Sequence, residues 1–224
     1  MLNDINLYYI VYFVKIMNQK NFFALNECFL DLDDHIELFT IWMNKDKKTE
    51  PNDPNALSLA TSNKKGVPSV RMVLLKDFSK HGFIFYTNFN SPKSTSLKEN
   101  PKAEMCFYWK SLLRQVRING KVSQVKDEVA DDYHNSRDRN SQIGAWASKQ
   151  SSVLKNRDEL MKSIKDYEKK YLNQKKIPRP PHWSGWNLIP FEIEFCVQGK
   201  NRIHERLNYT KKENGNWERC LLSP

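Results

Sequence analysis

The short signatures that announce a chemistry are mostly missing from these 224 residues. There is no G-x-G-x-x-G and no P-loop, so nothing indicates a dinucleotide fold opened by a glycine-rich turn or a triphosphate cradle. H-E-x-x-H and G-x-S-x-G are absent too, which removes a zinc-protease helix and a nucleophile elbow. Cysteine is sparse: Cys28, Cys106, Cys196 and Cys220 are scattered without a C-x-x-C pair. That pattern offers no zinc spacing and no disulfide framework, so no metal is expected and a reducing cytoplasmic compartment is the default. Cys106 lies in an apolar stretch and reads as core rather than nucleophile. Long apolar runs are lacking as well. The run from Leu7 to Met17 is interrupted by Lys15 and too short to span a bilayer, and Asp4 stands where a secretory signal carries positive charge. It is read as a short buried element or a sequence artefact, and no membrane partner is expected.

Aromatic residues and positive charge are plentiful. The 12 Phe, 9 Tyr and 6 Trp fit a folded chain, and this length buries one substantial core. A single domain over residues 22–224 is expected, preceded by an extension, residues 1–21, to which no role is assigned. The net charge of +10 favours anionic partners such as phosphorylated small molecules. Much of it falls between Lys155 and Lys176, where acids are interleaved, and reads as a solvated helix face. No nucleic-acid-binding motif accompanies it, so nucleic acid is not expected.

Periodicity predicts a helix after Asp33-Asp34, with Ile36, Leu38, Phe39 and Trp42 on one face, then a loop over 47–55. Strands are predicted over 56–61, 68–76, 82–87, 103–109 and 114–125. A helix is predicted after Ser91, with Ser91 as cap and Pro92 at the first helical position. Further helices are predicted from Lys126 to Asn135 and from Asn156 to Leu172. A final hairpin joins 191–198 to 202–210 around Gly199-Lys200-Asn201. About seven strands, mostly joined by short turns, point to an α+β, mainly β fold: a small antiparallel barrel with flanking helices.

Three groups of residues suit an anion. If Arg202 to Thr210 is a strand, Arg202, His204 and Arg206 share one face. Arg71 and Lys76 flank an apolar strand; strict alternation puts them on opposite faces, so one ligand meets both only through a bulge or a strand end. If the stretch around them is helical, Tyr133, Arg137 and Ser141 share a face and present a phenol, a guanidinium and a hydroxyl. The bland alternatives are a charged sheet edge, cations at strand ends and an ordinary polar helix face. The acidic pair Asp131-Asp132 is adjacent rather than convergent and receives no acid–base role.

Taken together, RMVLLK (71–76), FYTN (85–88), WKSLLRQVRINGKV (109–122), SRDRNSQIGAWASKQSS (136–152), IEF (193–195) and RIHER (202–206) resemble the pyridoxamine 5′-phosphate oxidase family, in its order and with similar separations. The resemblance implies an FMN-binding split β-barrel, a cytoplasmic homodimer with FMN sites at the subunit interface. It also implies an oxidase that converts pyridoxamine or pyridoxine 5′-phosphate to pyridoxal 5′-phosphate with oxygen. Hydride would pass from the substrate's C4′ carbon to the flavin, giving hydrogen peroxide, and ammonia from the amine. It places Arg71, Met72, Val73, Leu74, Leu75, Lys76, Tyr86, Thr87, Lys93, Gln115, Gln150, Ser151, Cys196 and Arg206 at the FMN. It places Lys76, Tyr133, Arg137 and Ser141 at the substrate phosphate, with Arg202 and His204 holding the pyridine ring as the catalytic pair.

Three positions depart from that pattern. Pro92 stands where the family usually has an Arg, Cys196 where it has a Trp, and Trp183-Ser184-Gly185 replaces Trp-Gly-Gly. The first two raise an alternative reading, a paralogue that binds FMN or pyridoxal phosphate as carrier or regulator without turnover.

Overall fold

The structure is a computed structural model describing residues 25, 27–29, 32–50 and 53–224. The segments 1–21 and 7–17 singled out above lie outside the described residues. Among the described residues there are five α-helices: α1 (His35–Thr49), α2 (Pro92–Glu99), α3 (Asp127–Ser136), α4 (Arg139–Ala147) and α5 (Arg157–Tyr171). There are nine strands: β1 (Ala56–Ser62), β2 (Pro68–Leu74), β3 (Asp77–Ser79), β4 (Gly82–Asn88), β5 (Lys102–Trp109), β6 (Arg114–Gln124), β7 (Trp183–Val197), β8 (Glu205–Lys211) and β9 (Trp217–Leu222). The expected mainly β class with flanking helices is what is found. Within the span read as one domain, the residues fall into two compact units.

The larger unit holds residues 55–107 and 118–191. Its strands follow the order β2-β1-β5-β6-β7-β4-β3. Antiparallel registers fix the pairs, with Leu59 opposite Arg71, Leu59 opposite Met105, and Tyr86 opposite Gly185. Burial alternates along β1, β4 and β5, so Leu57, Leu59, Phe83, Phe85, Met105 and Phe107 are fully enclosed. Each such side chain contributes roughly 1.5–3 kcal/mol. Helices α4 and α5 close on a smaller cluster of Ile143, Tyr171 and Ile177, with Trp146, Ile164 and Tyr167 packed against it.

The smaller unit holds the described residues before 55, then 108–117 and 192–224. Asp34 Oδ1 accepts the amide of Ile36 at 2.8 Å, capping α1 as its acidic start predicts. The helix turns Leu38, Phe39, Trp42 and Met43 inward. Trp42 meets Phe195 edge-on at 5.2 Å, and Phe195 meets Tyr209 at 5.8 Å. The polar ends of these aromatics are satisfied: Trp42 Nε1 donates to Cys28 O and the Tyr209 hydroxyl to Leu32 O.

Several expectations are corrected here. The loop predicted over 47–55 starts later, because α1 continues to Thr49 through residues with good helix propensity. Strands β3 and β9 escape the periodicity argument, the first being three residues long and the second a charged edge. Ser91 occupies the cap position of α2, but its side chain makes no capping bond. Its hydroxyl donates to Asn88 O at 2.6 Å instead.

The stretch Tyr133–Ser141 is not one helix. The chain leaves α3 at Arg137 (φ −74°, ψ 152°) and restarts in α4, capped by Asp138, whose side chain accepts from Ser141 N. Nor do Arg202 and His204 lie on a strand with Arg206. Strand β8 begins at Glu205, and Asn201 and Arg202 take left-handed φ values of 54° and 66° in a short turn. Gly199 is required before that turn, since a Cβ there would sit 1.7 Å from Ile203 O.

Candidate active site

A cavity of about 670 Å³ opens in the larger unit. Its walls come from the end of β2 and the residues after it (Met72, Val73, Leu74, Lys76), the end of β4 (Tyr86, Thr87, Asn88), the start of α2 (Lys93) and the α3–α4 region (Tyr133, Arg137, Ser141). Gln150 and Trp183 complete the main groups. Of the residues expected in this unit, the cavity therefore gathers most. Arg71, Leu75 and Ser151 do not line it: Leu75 is buried and Ser151 is exposed with φ 67°.

One group lining the cavity is built around Lys93. Proline at the first position of α2 fixes the helix start and puts Lys93 in its first turn. The ammonium donates to Thr87 Oγ1 at 2.8 Å, Ser91 Oγ at 3.0 Å and Gln150 Oε1 at 2.7 Å. These three neutral oxygens use all three of its N–H donors. Burial pushes its pKa down to about 8, and the positive charge of Arg71 adds to the shift. Lys93 is thus a buried cation held by dipoles and facing a second cation. Arg71 is similarly bound to neutral oxygens, its guanidinium donating to Leu59 O, Thr61 Oγ1, Ser69 O and Ser69 Oγ. Two cations, Lys93 buried and Arg71 half-buried, each bonded to neutral oxygens, suit a phosphate monoester, which supplies negative charge and several acceptors.

A second group is aromatic and cationic. Tyr86 stacks on Tyr133 at 4.0 Å and on Trp183 at 5.2 Å, with the rings nearly parallel. Gly185 leaves room for this, since a Cβ there would come within 2.8 Å of the Tyr86 ring. Burial raises the Tyr86 phenol to about 12, with Tyr133 and two aspartates adding to the shift, so it stays protonated. The Arg137 guanidinium lies over Trp183 at 4.8 Å, and its Nη1 is buried without a hydrogen-bond partner. Lys76, past the end of β2, is exposed and lines the same space. The break between α3 and α4 lets Tyr133, Arg137 and Ser141 converge. The predicted grouping survives although the helical-face argument for it does not.

The break itself is clamped. Gln142 is buried, and its Nε2 donates to His134 O at 2.9 Å, Arg137 O at 3.2 Å and Asn135 O at 3.4 Å. Arg179 ties α3 to the start of β7, binding Asp127, Asp131 and Trp183 O. His134 is wholly enclosed with both ring nitrogens unpartnered. Burial lowers its pKa to about 4, reinforced by Arg137 and Arg179. Gln142, Trp183, Asn88 and Ser136 were not singled out as site residues by the sequence. Gln142 sits inside the distinctive SQIGAWASKQSS block, which is the one signal that pointed toward it.

Gln115, Cys196, Arg202, His204 and Arg206 belong to the smaller unit. There Arg206 forms a bidentate pair with Glu194, at 2.8 and 3.0 Å, and donates from Nη1 to Ser223 O. Arg117 joins the same carboxylate at 3.1 Å. Cys196 pairs with Arg206 in the β7–β8 ladder, and burial raises its thiol pKa. His204 Nδ1 accepts the Gly199 amide at 3.2 Å, so the neutral ring carries its proton on Nε2. Arg202 is exposed. Gln115 is half-buried on β6.

Comparison with known proteins shows the family. Residues 43–171 match the family model described as pyridoxamine 5′-phosphate oxidase. Residues 183–224 match the pyridoxine 5′-phosphate oxidase C-terminal dimerisation region. A protein of Pelagibacter ubique (strain HTCC1062), named pyridoxine/pyridoxamine 5′-phosphate oxidase, is 65% identical over 208 residues, covering 93% of this chain and all of that protein. One of the same name from Allorhizobium ampelinum is 47% identical, covering 88% of this chain and 95% of its own length. Among solved structures, PhzG from Burkholderia lata 383, in complex with tetrahydrophenazine-1-carboxylic acid, superposes with a TM-score of 0.82 at 27% identity, covering 90% of this chain and 98% of that one. The chain belongs to the pyridoxamine 5′-phosphate oxidase family and has its split-barrel fold.

Proposed function

We propose that this protein is an FMN-dependent oxidase. It would convert pyridoxamine 5′-phosphate, or pyridoxine 5′-phosphate, to pyridoxal 5′-phosphate with oxygen as acceptor, releasing hydrogen peroxide and, from the amine, ammonia. The observation that carries this reading is a single cavity with two separate groups suited to phosphate. Lys93, Thr87 and Gln150 form one group, and Arg137, Tyr133, Ser141 and Lys76 the other. A flavin mononucleotide and a phosphorylated vitamer each bring one phosphate. The 65% identity to a protein of this name, against 27% to PhzG, supports the vitamer over a phenazine precursor as substrate.

FMN, when bound, supplies the hydride acceptor and the means of passing electrons to oxygen. The chain's own part is binding, orientation and charge. The buried ammonium of Lys93 holds the cofactor phosphate, with Arg71 adding positive potential. The guanidinium of Arg137, pre-set against Trp183, takes the substrate phosphate in a fork that an ammonium cannot match. Arg202 and His204 hold the pyridine ring. The Gly199 amide fixes the tautomer of His204 so that Nε2 presents an N–H. No strong base is needed, because the redox step belongs to the cofactor and the protein supplies proximity. The active form is a homodimer, with FMN sites at the subunit interface and the 183–224 region contributing to dimerisation.

The test is direct. Purified protein with saturating FMN and pyridoxamine 5′-phosphate under air should yield pyridoxal 5′-phosphate and peroxide in equal amounts. Absence of product sinks the reading. Arg202→Ala should depress turnover more than FMN occupancy; equal losses would contradict its role at the substrate.

A further inference from the structure

We infer that Gln142 is a positioning residue for the substrate phosphate: it fixes the break between α3 and α4 and so sets where Arg137 points. The inference rests on the proposed function, in which Arg137 receives that phosphate. It starts from what a helix end lacks. The last carbonyls of α3 lie beyond the helix's own i+4 donors; the Arg137 amide reaches His134 O at 3.2 Å as the chain turns away, and the remaining acceptor capacity there needs donors from elsewhere. A buried carbonyl without a donor is costly, and several in one place would push the chain to another path.

The Gln142 carboxamide resolves this from the next helix. Its NH₂ group reaches the carbonyls of His134, Asn135 and Arg137. Carbonyls only accept, so chemistry alone fixes the amide with its nitrogen toward them. The partners span the end of α3 and Arg137 itself, while the donor belongs to the first turns of α4. One side chain thereby locks the angle between the two helices. Tyr133 lies just before the lock, Arg137 within it and Ser141 just after it, and all three line the cavity. Gln142 is itself buried and absent from the cavity wall, so it acts through the backbone of the residues that bind and not on the ligand. Trp183 restrains the other end of the arginine, with its ring 4.8 Å from the guanidinium. Arg137 is therefore held at its backbone by Gln142 and at its charged head by Trp183.

Four proteins decide it: wild type, Gln142→Leu, Arg137→Ala and the double variant, assayed at saturating FMN with pyridoxamine 5′-phosphate, with FMN affinity measured separately. A displacement of order 1 Å costs up to about a hundredfold, so Gln142→Leu should raise KM by about ten- to a hundredfold. Its kcat and FMN dissociation constant should stay within about threefold of wild type. In the Arg137→Ala background the same change should add less than about twofold, because the group it positions is gone.

An unchanged KM in Gln142→Leu, an equal loss of FMN affinity, or full additivity in the double variant would each overturn the inference while leaving the enzymatic reading intact. An Arg137→Ala enzyme with normal KM would instead overturn the phosphate assignment, and the inference with it. If Gln142→Leu does not fold, Gln142→Met, unbranched and of similar length, takes its place. Failure of both to fold would assign Gln142 to stability alone and refute the positioning role.

Discussion

Arg206 in the smaller unit and Lys93 in the larger one were both expected to meet the cofactor, yet their surroundings differ in kind. Arg206 is closed on Glu194 in a bidentate pair, with Arg117 on the same carboxylate and Ser223 O taking a further donor. Lys93 has only neutral oxygens around its ammonium, and a depressed pKa records the cost. A cation already paired contributes to structure before any ligand arrives; one held by dipoles alone is poised for an anion. Residue type did not separate these cases. Burial with or without a carboxylate did.

The comparison can be broken most forcefully at Glu194. Glu194→Ala removes the carboxylate that Arg206 and Arg117 share, and removing one partner of a buried ion pair costs roughly 3–5 kcal/mol. About 3 kcal/mol is expected, since the Arg117 side chain is 44% exposed and rescued in part by water. Urea unfolding measures it, and a loss below about 1 kcal/mol would show that the Arg206–Glu194 pair contributes little to the folded state.

A smaller effect tests the open end. Pro92 is exposed at the start of α2, beside Lys93. Pro92→Arg should tighten FMN binding about tenfold by adding a charge-assisted contact, as flavin fluorescence titration will report. In the wild type, affinity should fall as pH rises through about 8, where Lys93 loses its proton. A flat profile from pH 7 to 9 would remove Lys93 from the phosphate site.

Two histidines give the mildest effect near neutrality. His35, packed against Trp217 at 4.0 Å, and His134 are both lowered to about 4, chiefly by burial. Asp34 opposes the shift at His35 while Lys211 reinforces it; Arg137 and Arg179 reinforce it at His134. The unfolded chain protonates each ring below about pH 6.5, whereas the folded rings stay neutral to about 4. Stability contributed by the neutral rings is therefore full above pH 6.5 and declines as pH falls through that window, by under about 1 kcal/mol per ring at pH 6. His134→Phe should flatten the slope of unfolding free energy against pH; an unaltered slope would mean that His134 titrates normally.

The cavity residues differ in how legible they were. Arg137 stands in a motif whose order and spacing resemble a family, Lys93 and Tyr133 at positions that the same resemblance implies, and the structure gathers all three in one cavity. The local reasons offered for two of the groupings failed. Tyr133, Arg137 and Ser141 converge across a helix break, and Arg202 sits in a left-handed turn instead of on a strand. Periodicity assumes an unbroken element, and both breaks depend on partners distant in sequence or on a backbone carbonyl that spacing does not reveal. Gln142 and Trp183 were passed over for the same reason: an amide and an indole carry no charge pattern to mark them.

The sequence by itself determined most of the elements, the mainly antiparallel class and the family, because alternation and motif order are local properties of the chain. Only the tertiary structure decided which cations are neutralised and which remain open, and which side chain locks the α3–α4 break. Those outcomes depend on distances of a few ångströms between groups that no helical or strand periodicity brings together, where desolvation and hydrogen-bond geometry settle the balance.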